Sequence, residues 1–297
     1  MDLPRRTCAQ LTFVPQHRPC LEESLGRLQE FIDQSRRLFV LTGAGISTES
    51  GIPDYRSEGV GLYATSTKRP VQFKVFMESA KARQSYWARN YVGWQRFSSV
   101  RPNSAHLALA AWEPSGGGPV HCIVTQNVDR LHHKALSTNI YELHGSAFSV
   151  VCMKCERAVT RHSFQHQLRR LNPHVHERSE ELRPDGDVEL SQEAVSAFRV
   201  PLCESCGGGI MKPDIVFFGD NVPRLRVEAV KRELAKCDSL LVLGSSLHVY
   251  SGYRFILKGA ELGLRMCGVN IGVTRADPHL LFRVDARCGE VLPRITL

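Results

Sequence analysis

The sequence predicts an α/β protein, a doubly wound parallel sheet joined to a smaller lobe made of a four-cysteine module and a helical insertion. Three observations predict it. Short apolar strands alternate with helical stretches, a Gly-x-Gly turn follows the first strand, and two Cys-x-x-Cys pairs stand in a segment that breaks the alternation.

Leu21, Leu25, Leu28, Phe31 and Ile32 recur at helical spacing and predict a first amphipathic helix over 21–35. The apolar strand Leu38–Leu41 follows and runs into the turn at 42–47. Further strands are expected at Val120–Thr125, Ile140–Leu143, Ile215–Phe218, Leu240–Leu243 and Met266–Ile271, with helices near Val227, Val230 and Leu234 and over 252–262. Two segments interrupt this order. Residues 56–98 hold a Gly- and Ser-containing stretch and then an aromatic-rich helical part, and 147–212 carry both cysteine pairs around a polar middle. The expected division is a tail (1–20), a sheet domain (21–146 and 213–297) bearing the insertion at about 56–98, and a cysteine module (147–212).

Composition narrows the class. Apolar residues make up 42% and charged residues 23%, as in globular proteins. No apolar run approaches the roughly 20 residues that span a bilayer, so no membrane partner is expected. The net charge of +8 is spread among acids, without a basic run interleaved with stacking aromatics, so no nucleic-acid partner is expected either. Residues 1–20 hold Arg5, Arg6 and Arg18 against the single acid Asp2, but Pro4, Pro15 and Pro19 would break the helix of a transit peptide. A tail left after removal of a presequence fits better.

Cys152, Cys155, Cys203 and Cys206 form the most specific local signal. Two thiolates two residues apart grip one metal from a tight turn, and two such turns complete a tetrahedron. Four cysteines leave no position for water, so one structural zinc ion per chain is expected. The 47 residues between Cys155 and Cys203 exceed the roughly 15–20 of a simple ribbon and imply an insertion.

Gly43-Ala44-Gly45 after a strand is a turn that lets backbone approach a pyrophosphate, which makes the sheet domain Rossmann-like. Thr48 stands where the dinucleotide fingerprint has its third glycine, and no clear acid ends a strand about 20 residues on. NAD is therefore expected in a pose unlike that in a dehydrogenase. Gln126-Asn127-Val128-Asp129 ends one strand and Glu142-Leu143-His144-Gly145 another, where open α/β sheets bind ligands. Taken singly, such a turn is also a capped loop and such a histidine also a structural one. His132 and His133 compete for any histidine role, but lie in a predicted helix.

In combination these pieces are more telling. Gly43–Arg56, Thr125–Asp129, Leu143-His144-Gly145, the two cysteine pairs, Phe217–Asp220 and Gly244-Ser245-Ser246-Leu247 occur in this order. The set resembles the sirtuin family over about 25–293. Tyr86-Trp87-Ala88-Arg89 and Pro184–Asp187 resemble its mitochondrial class II branch most, and so imply the mitochondrial matrix.

The resemblance implies an NAD-dependent protein lysine deacylase that passes the acyl group to ADP-ribose and releases nicotinamide. Acylated lysines of metabolic enzymes are the implied partners. His144 is then the general base, Asn127 positions ribose and a water, and Asp129 holds the nicotinamide carboxamide. Gly43, Ala44, Gly45, Ser47, Pro53, Asp54, Tyr55, Arg56 and Gln126 line the NAD pocket, while Gly244, Ser245, Ser246, Asn270 and Cys288 hold the adenosine half. Backbone near Phe218-Gly219 and Leu247–Val249 would take the substrate peptide as an added strand.

Two departures stand out: Tyr55 where many members carry Phe, and Ser251-Gly252 where a Pro-containing continuation is usual. They point to acyl groups other than acetyl, acidic or branched. Tyr86 and Arg89, three apart on one predicted helical face, resemble a pair that holds acyl carboxylates in another sirtuin class. Two other readings use the same residues. One is protein mono-ADP-ribosylation, the other an NAD-sensing regulatory module with little catalysis.

Overall fold

The computed structural model describes residues 12–175, 179 and 182–297. In chain order the first elements are α1 (Glu22–Asp33), β1 (Leu38–Thr42), α2 (Leu62–Thr65), α3 (Phe73–Glu78), α4 (Ala80–Ser99), α5 (Ser104–Ala111), β2 (Val120–Thr125), α6 (Leu131–Lys134) and β3 (Ile140–Glu142). Next come β4 (Gly145–Cys152), β5 (Ala158–Thr160), α7 (Arg161–Leu171), α8 (Gln192–Ala197) and β6 (Met211–Ile215). The chain ends with α9 (Arg224–Leu234), β7 (Ser239–Leu243), α10 (Tyr250–Glu261), β8 (Arg265–Val269), β9 (Phe282–Val284) and α11 (Cys288–Val291).

Six strands form one sheet in the order β3-β2-β1-β7-β8-β9, parallel at every pairing. All five residues of β1 and of β7 are buried. The physical reason is that helices cover both faces of a parallel sheet, so its strands are apolar throughout rather than alternating. Leu38 and Val40 pack on one side with Leu28, Phe31 and Ile32 of α1 and Leu109 of α5. Phe39 and Leu41 pack on the other with Val230 and Leu234 of α9 and Phe255 of α10. β9, only three residues long, is a strand the apolar pattern did not mark.

β5, β4 and β6 form a second, antiparallel sheet. Its core is aromatic: Tyr86, Trp87, Trp94 and Phe97 of α4 meet Phe164 of α7 and Phe217. The helical insertion thus belongs with this smaller lobe. Trp87 stacks 4.6 Å from Phe164, and its indole N–H donates to the Met211 carbonyl at 3.0 Å.

The expected strand Ile215–Phe218 is a correction. The chain leaves β6 at Ile215 and does not enter the parallel sheet; Val216 N–H bonds the His144 carbonyl, and Phe73 N–H bonds that of Phe218. The run is apolar because Phe217 is buried against Phe76 and Tyr86 at 5.2 and 5.3 Å. An apolar run of four cannot by itself distinguish a strand from a buried linker.

Candidate active site

The strand order reverses between β1 and β7, and a ligand crevice opens at the carboxyl ends of strands at such a switch point. The turns after these two strands meet there. Gly43 N–H bonds the Leu243 carbonyl at 3.0 Å and Gly45 N–H bonds the Gly244 carbonyl at 2.8 Å. A Cβ on Gly43 would sit 2.6 Å from the Ser245 Cβ, and one on Gly45 2.8 Å from the Gly244 oxygen. Neither position admits a side chain. What remains is backbone lining a cleft of about 1540 Å3, a cradle suited to the phosphates of NAD.

Gln126–Asp129, after β2, are tied to this cradle by hydrogen bonds. Asn127 Nδ2 donates to the Gly43 carbonyl and the Ser47 hydroxyl, both at 3.0 Å. Ser47 Oγ donates to Asp129 at 2.7 Å, and Leu131 N–H to the other carboxylate oxygen at 2.9 Å. Burial pushes the Asp129 carboxyl upward against those hydrogen bonds. Gln126 Nε2 reaches across to the Ser245 hydroxyl at 2.8 Å and so links the two halves of the cleft.

His144 follows β3 at the point where the chain passes into the small lobe. Gly145 makes that passage with φ of 79°, the left-handed region, against the Asp214 carbonyl. The His144 Nδ1 lies 2.9 Å from the Gln126 carbonyl, and Nε2 lies 2.8 Å from the Ser251 hydroxyl. A carbonyl only accepts, so Nδ1 carries the proton and Nε2 offers the lone pair. Burial lowers the imidazole pKa to about 4, opposed by the Gln126 bond and aided by the Arg226 charge. His144 is therefore neutral at physiological pH, the form a general base requires.

The competing histidines have other duties. His132 is buried with Nε2 3.1 Å from the Thr42 hydroxyl, and burial drives its pKa down to about 3. His133 is exposed, 3.7 Å from a Glu142 carboxylate oxygen. Neither lines the cleft.

Cys152, Cys155, Cys203 and Cys206 bring their sulfurs within 4.8 Å of one another. Sulfurs placed about 2.3 Å from a tetrahedral zinc lie about 3.8 Å apart. The Cys152–Cys206 and Cys155–Cys203 separations are 3.7 and 3.8 Å. Four thiols gathered this closely are a donor set that suits a structural zinc.

Of the other expected residues, Ala44, Asp54, Tyr55, Arg56, Ser246, Asn270 and Cys288 line the cleft, whereas Pro53 is buried behind it. Tyr55 packs 5.9 Å from both Tyr63 and Phe218. Tyr86 and Arg89 do not line the cleft. Tyr86 is a core residue with its hydroxyl buried and unpartnered, and Arg89 faces Asp187 at 3.0 Å. Pro184 and Asp185 of the spacer between the cysteine pairs do reach the cleft wall. So do His17 and Arg18 of the tail and Arg287, contacts between distant segments that no local pattern announces.

Residues 43–251 match the Sir2 family. The chain belongs to the Sir2 family, the sirtuins. It is 50% identical over 291 residues, 98% of this chain and 92% of the relative, to NAD-dependent protein deacylase Sirt4 of Drosophila melanogaster. Its identity to the human NAD-dependent protein lipoamidase sirtuin-4, mitochondrial, is also 50%, covering 98% of this chain and 93% of that one. A solved structure described as Sir2-p53 peptide-NAD+ superposes with a TM-score of 0.72 at 28% identity, covering 91% of this sirtuin and 96% of that chain.

Proposed function

We propose that this sirtuin is an NAD-dependent protein lysine deacylase of the mitochondrial matrix, with His144 as its general base and metabolic enzymes as its substrates. The observation that carries the reading is the state of His144: neutral, with its tautomer set by the Gln126 carbonyl, in the same cleft as the glycine cradle. NAD+ supplies an electrophilic ribose carbon and a nicotinamide leaving group.

The residues then have separable tasks. The Gly43–Gly45 and Gly244-Ser245 backbone approaches the phosphates, and Ala44, Asp54, Tyr55 and Arg56 enclose the nicotinamide end. Ser246, Asn270 and Cys288 hold the adenosine half. Asp129, fixed by Ser47 and Leu131, meets the carboxamide, and Asn127 orients ribose. His144 Nε2 takes the proton of a ribose hydroxyl, so that the oxygen can attack the acyl carbon. Orientation of this kind supplies up to about 7–11 kcal/mol in favourable systems.

The acyl group preferred is one other than acetyl. For an acyl chain ending in a carboxylate, Arg89 would have to leave Asp187 and turn into a cleft that it does not line. That same contact favours a second reading, a neutral chain such as the lipoyl group implied by the human relative's name. A panel of acetyl-, glutaryl- and lipoyl-lysine peptides incubated with NAD+ and read by mass distinguishes them, and mass added to the protein instead would mark ADP-ribosylation. His144→Ala should lower turnover of the preferred peptide about 10²–10⁴-fold. Turnover within a few-fold of the parent would remove His144 from the role.

A further inference from the structure

Ser251-Gly252, the departure after the Gly-Ser-Ser-Leu turn, converges on the general base. Ser251 is the second residue of α10, and its Oγ is 2.8 Å from His144 Nε2. Because Nδ1 must hold its proton for the Gln126 carbonyl, Nε2 can only accept, and Ser251 is the donor. Gly252 acts one step further back. A Cβ there would lie 2.8 Å from Gln126 Oε1 and 2.9 Å from its Cδ, so glycine leaves room for the side chain of the residue whose backbone carbonyl orients the imidazole.

Building on the deacylase reading, we propose that Ser251 is a positioning residue for the general base. Its hydroxyl caps the Nε2 lone pair until a ribose hydroxyl takes its place, and then accepts the Nε2–H bond formed by proton transfer. In that transfer the ribose O–H bond breaks, the N–H bond forms, and the electron pair stays on the ribose oxygen; nothing is oxidised or reduced. A hydroxyl suits both moments because it donates to a neutral imidazole and accepts from an imidazolium. Alanine does neither. The protonated ring needs such an acceptor, since Arg226 from α9 donates to the Leu143 carbonyl nearby and Arg254 of α10 lines the same cleft.

The test uses Ser251→Ala and Ser251→Thr. Alanine removes only the hydroxyl and suits a helix, whereas threonine keeps the hydroxyl. In histidine-labelled protein without substrate, the His144 resonance is identified by its loss in His144→Ala. Losing a hydroxyl that also accepts from the protonated ring, the stronger charge-assisted bond of the two, should lower the His144 titration midpoint by about half to one pH unit in Ser251→Ala, with Ser251→Thr restoring it. With NAD+ and peptide, the rate of acyl transfer relative to nicotinamide exchange should fall about 3- to 10-fold through kcat rather than KM. A Ser251→Ala protein with the parent's midpoint and the parent's ratio overturns the proposal. If the midpoint moves but the parent turns over no acyl peptide, it is the deacylase reading that fails, while the hydrogen bond stands.

Discussion

The two lobes are held together in different ways. In the parallel sheet, β1 and β7 are buried at every position and helices pack on both faces, so stability is divided among many ordinary contacts. In the small lobe, β5 is largely exposed and the β4–β6 register is broken between Ser146 and Val150. A few special points hold it instead. These are the four cysteines, the aromatic stack on α4, and a fully buried Arg161 lying 4.6 Å from the Trp94 ring and bonded to Asn90. The difference teaches that the NAD cradle is built on the robust half, whereas His144 and the spacer that reaches the cleft hang on the half with single points of failure.

The strongest way to break this comparison is at the metal. A structural zinc contributes on the order of 10–16 kcal/mol apparent in small domains, as much as the roughly 5–15 kcal/mol that holds a whole domain. Cys152→Ser or Cys203→Ser should therefore unfold the small lobe and abolish activity indirectly. Hydrogen exchange should quicken across β4–β6 and α4 while β1, β2 and β7 stay protected. One zinc still bound per chain with two of the cysteines removed, or equal loss of protection in both lobes, would refute the asymmetry.

A smaller effect separates the lobes by pH. His106 and His132 in the large lobe are both held neutral by burial, with His132 lowered to about 3. Groups with depressed pKa contribute stability above their unfolded value near 6.5 that is lost as pH falls toward the folded value. At pH 5 a single such group costs about 2 kcal/mol relative to neutral pH. Urea midpoints at pH 7.5 and 5 should show this drop, and His132→Gln should show less of it; an equal drop would clear His132 of the role. In the small lobe the sign is opposite. Burial raises the Asp185 and Asp187 carboxyls, so their contribution is present near pH 4 and is lost as pH rises through the raised values.

The smallest expected effect sharpens the comparison at the boundary between the lobes. Arg89→Met should cut any preference for carboxylate-ended acyl lysines over acetyl by about tenfold, the scale of one charge-assisted hydrogen bond. The ratio of kcat/KM for the two peptides reads it. An unmutated protein with equal values for both has no such preference to lose, and the Arg89 assignment falls with it.

The large lobe was legible residue by residue. Apolar runs marked β1, β2, β7 and β8 to within a residue or two, and Gly43-Ala44-Gly45 marked the cradle, because in these places the local chemistry allows one outcome. The small lobe was legible at its cysteines and in the aromatic-rich helical part of 56–98, which is α4, but not in its strands. Its strands are short and half exposed, and its apolar Ile215–Phe218 run looks like a strand until Phe76 and Tyr86 are seen packed on Phe217.

What the sequence by itself determined is therefore the family, the parallel sheet and the four-cysteine set, since each rests on residue types at fixed spacings. What only the tertiary structure decided is how distant segments meet. Arg89 faces Asp187, the tail and the spacer line the cleft, and Ser251 stands on the lone pair of a histidine 107 residues away in the chain. Periodicity and motif spacing carry information along the chain over a few turns, but a hydrogen bond between two lobes depends on how whole elements pack, which no short stretch encodes.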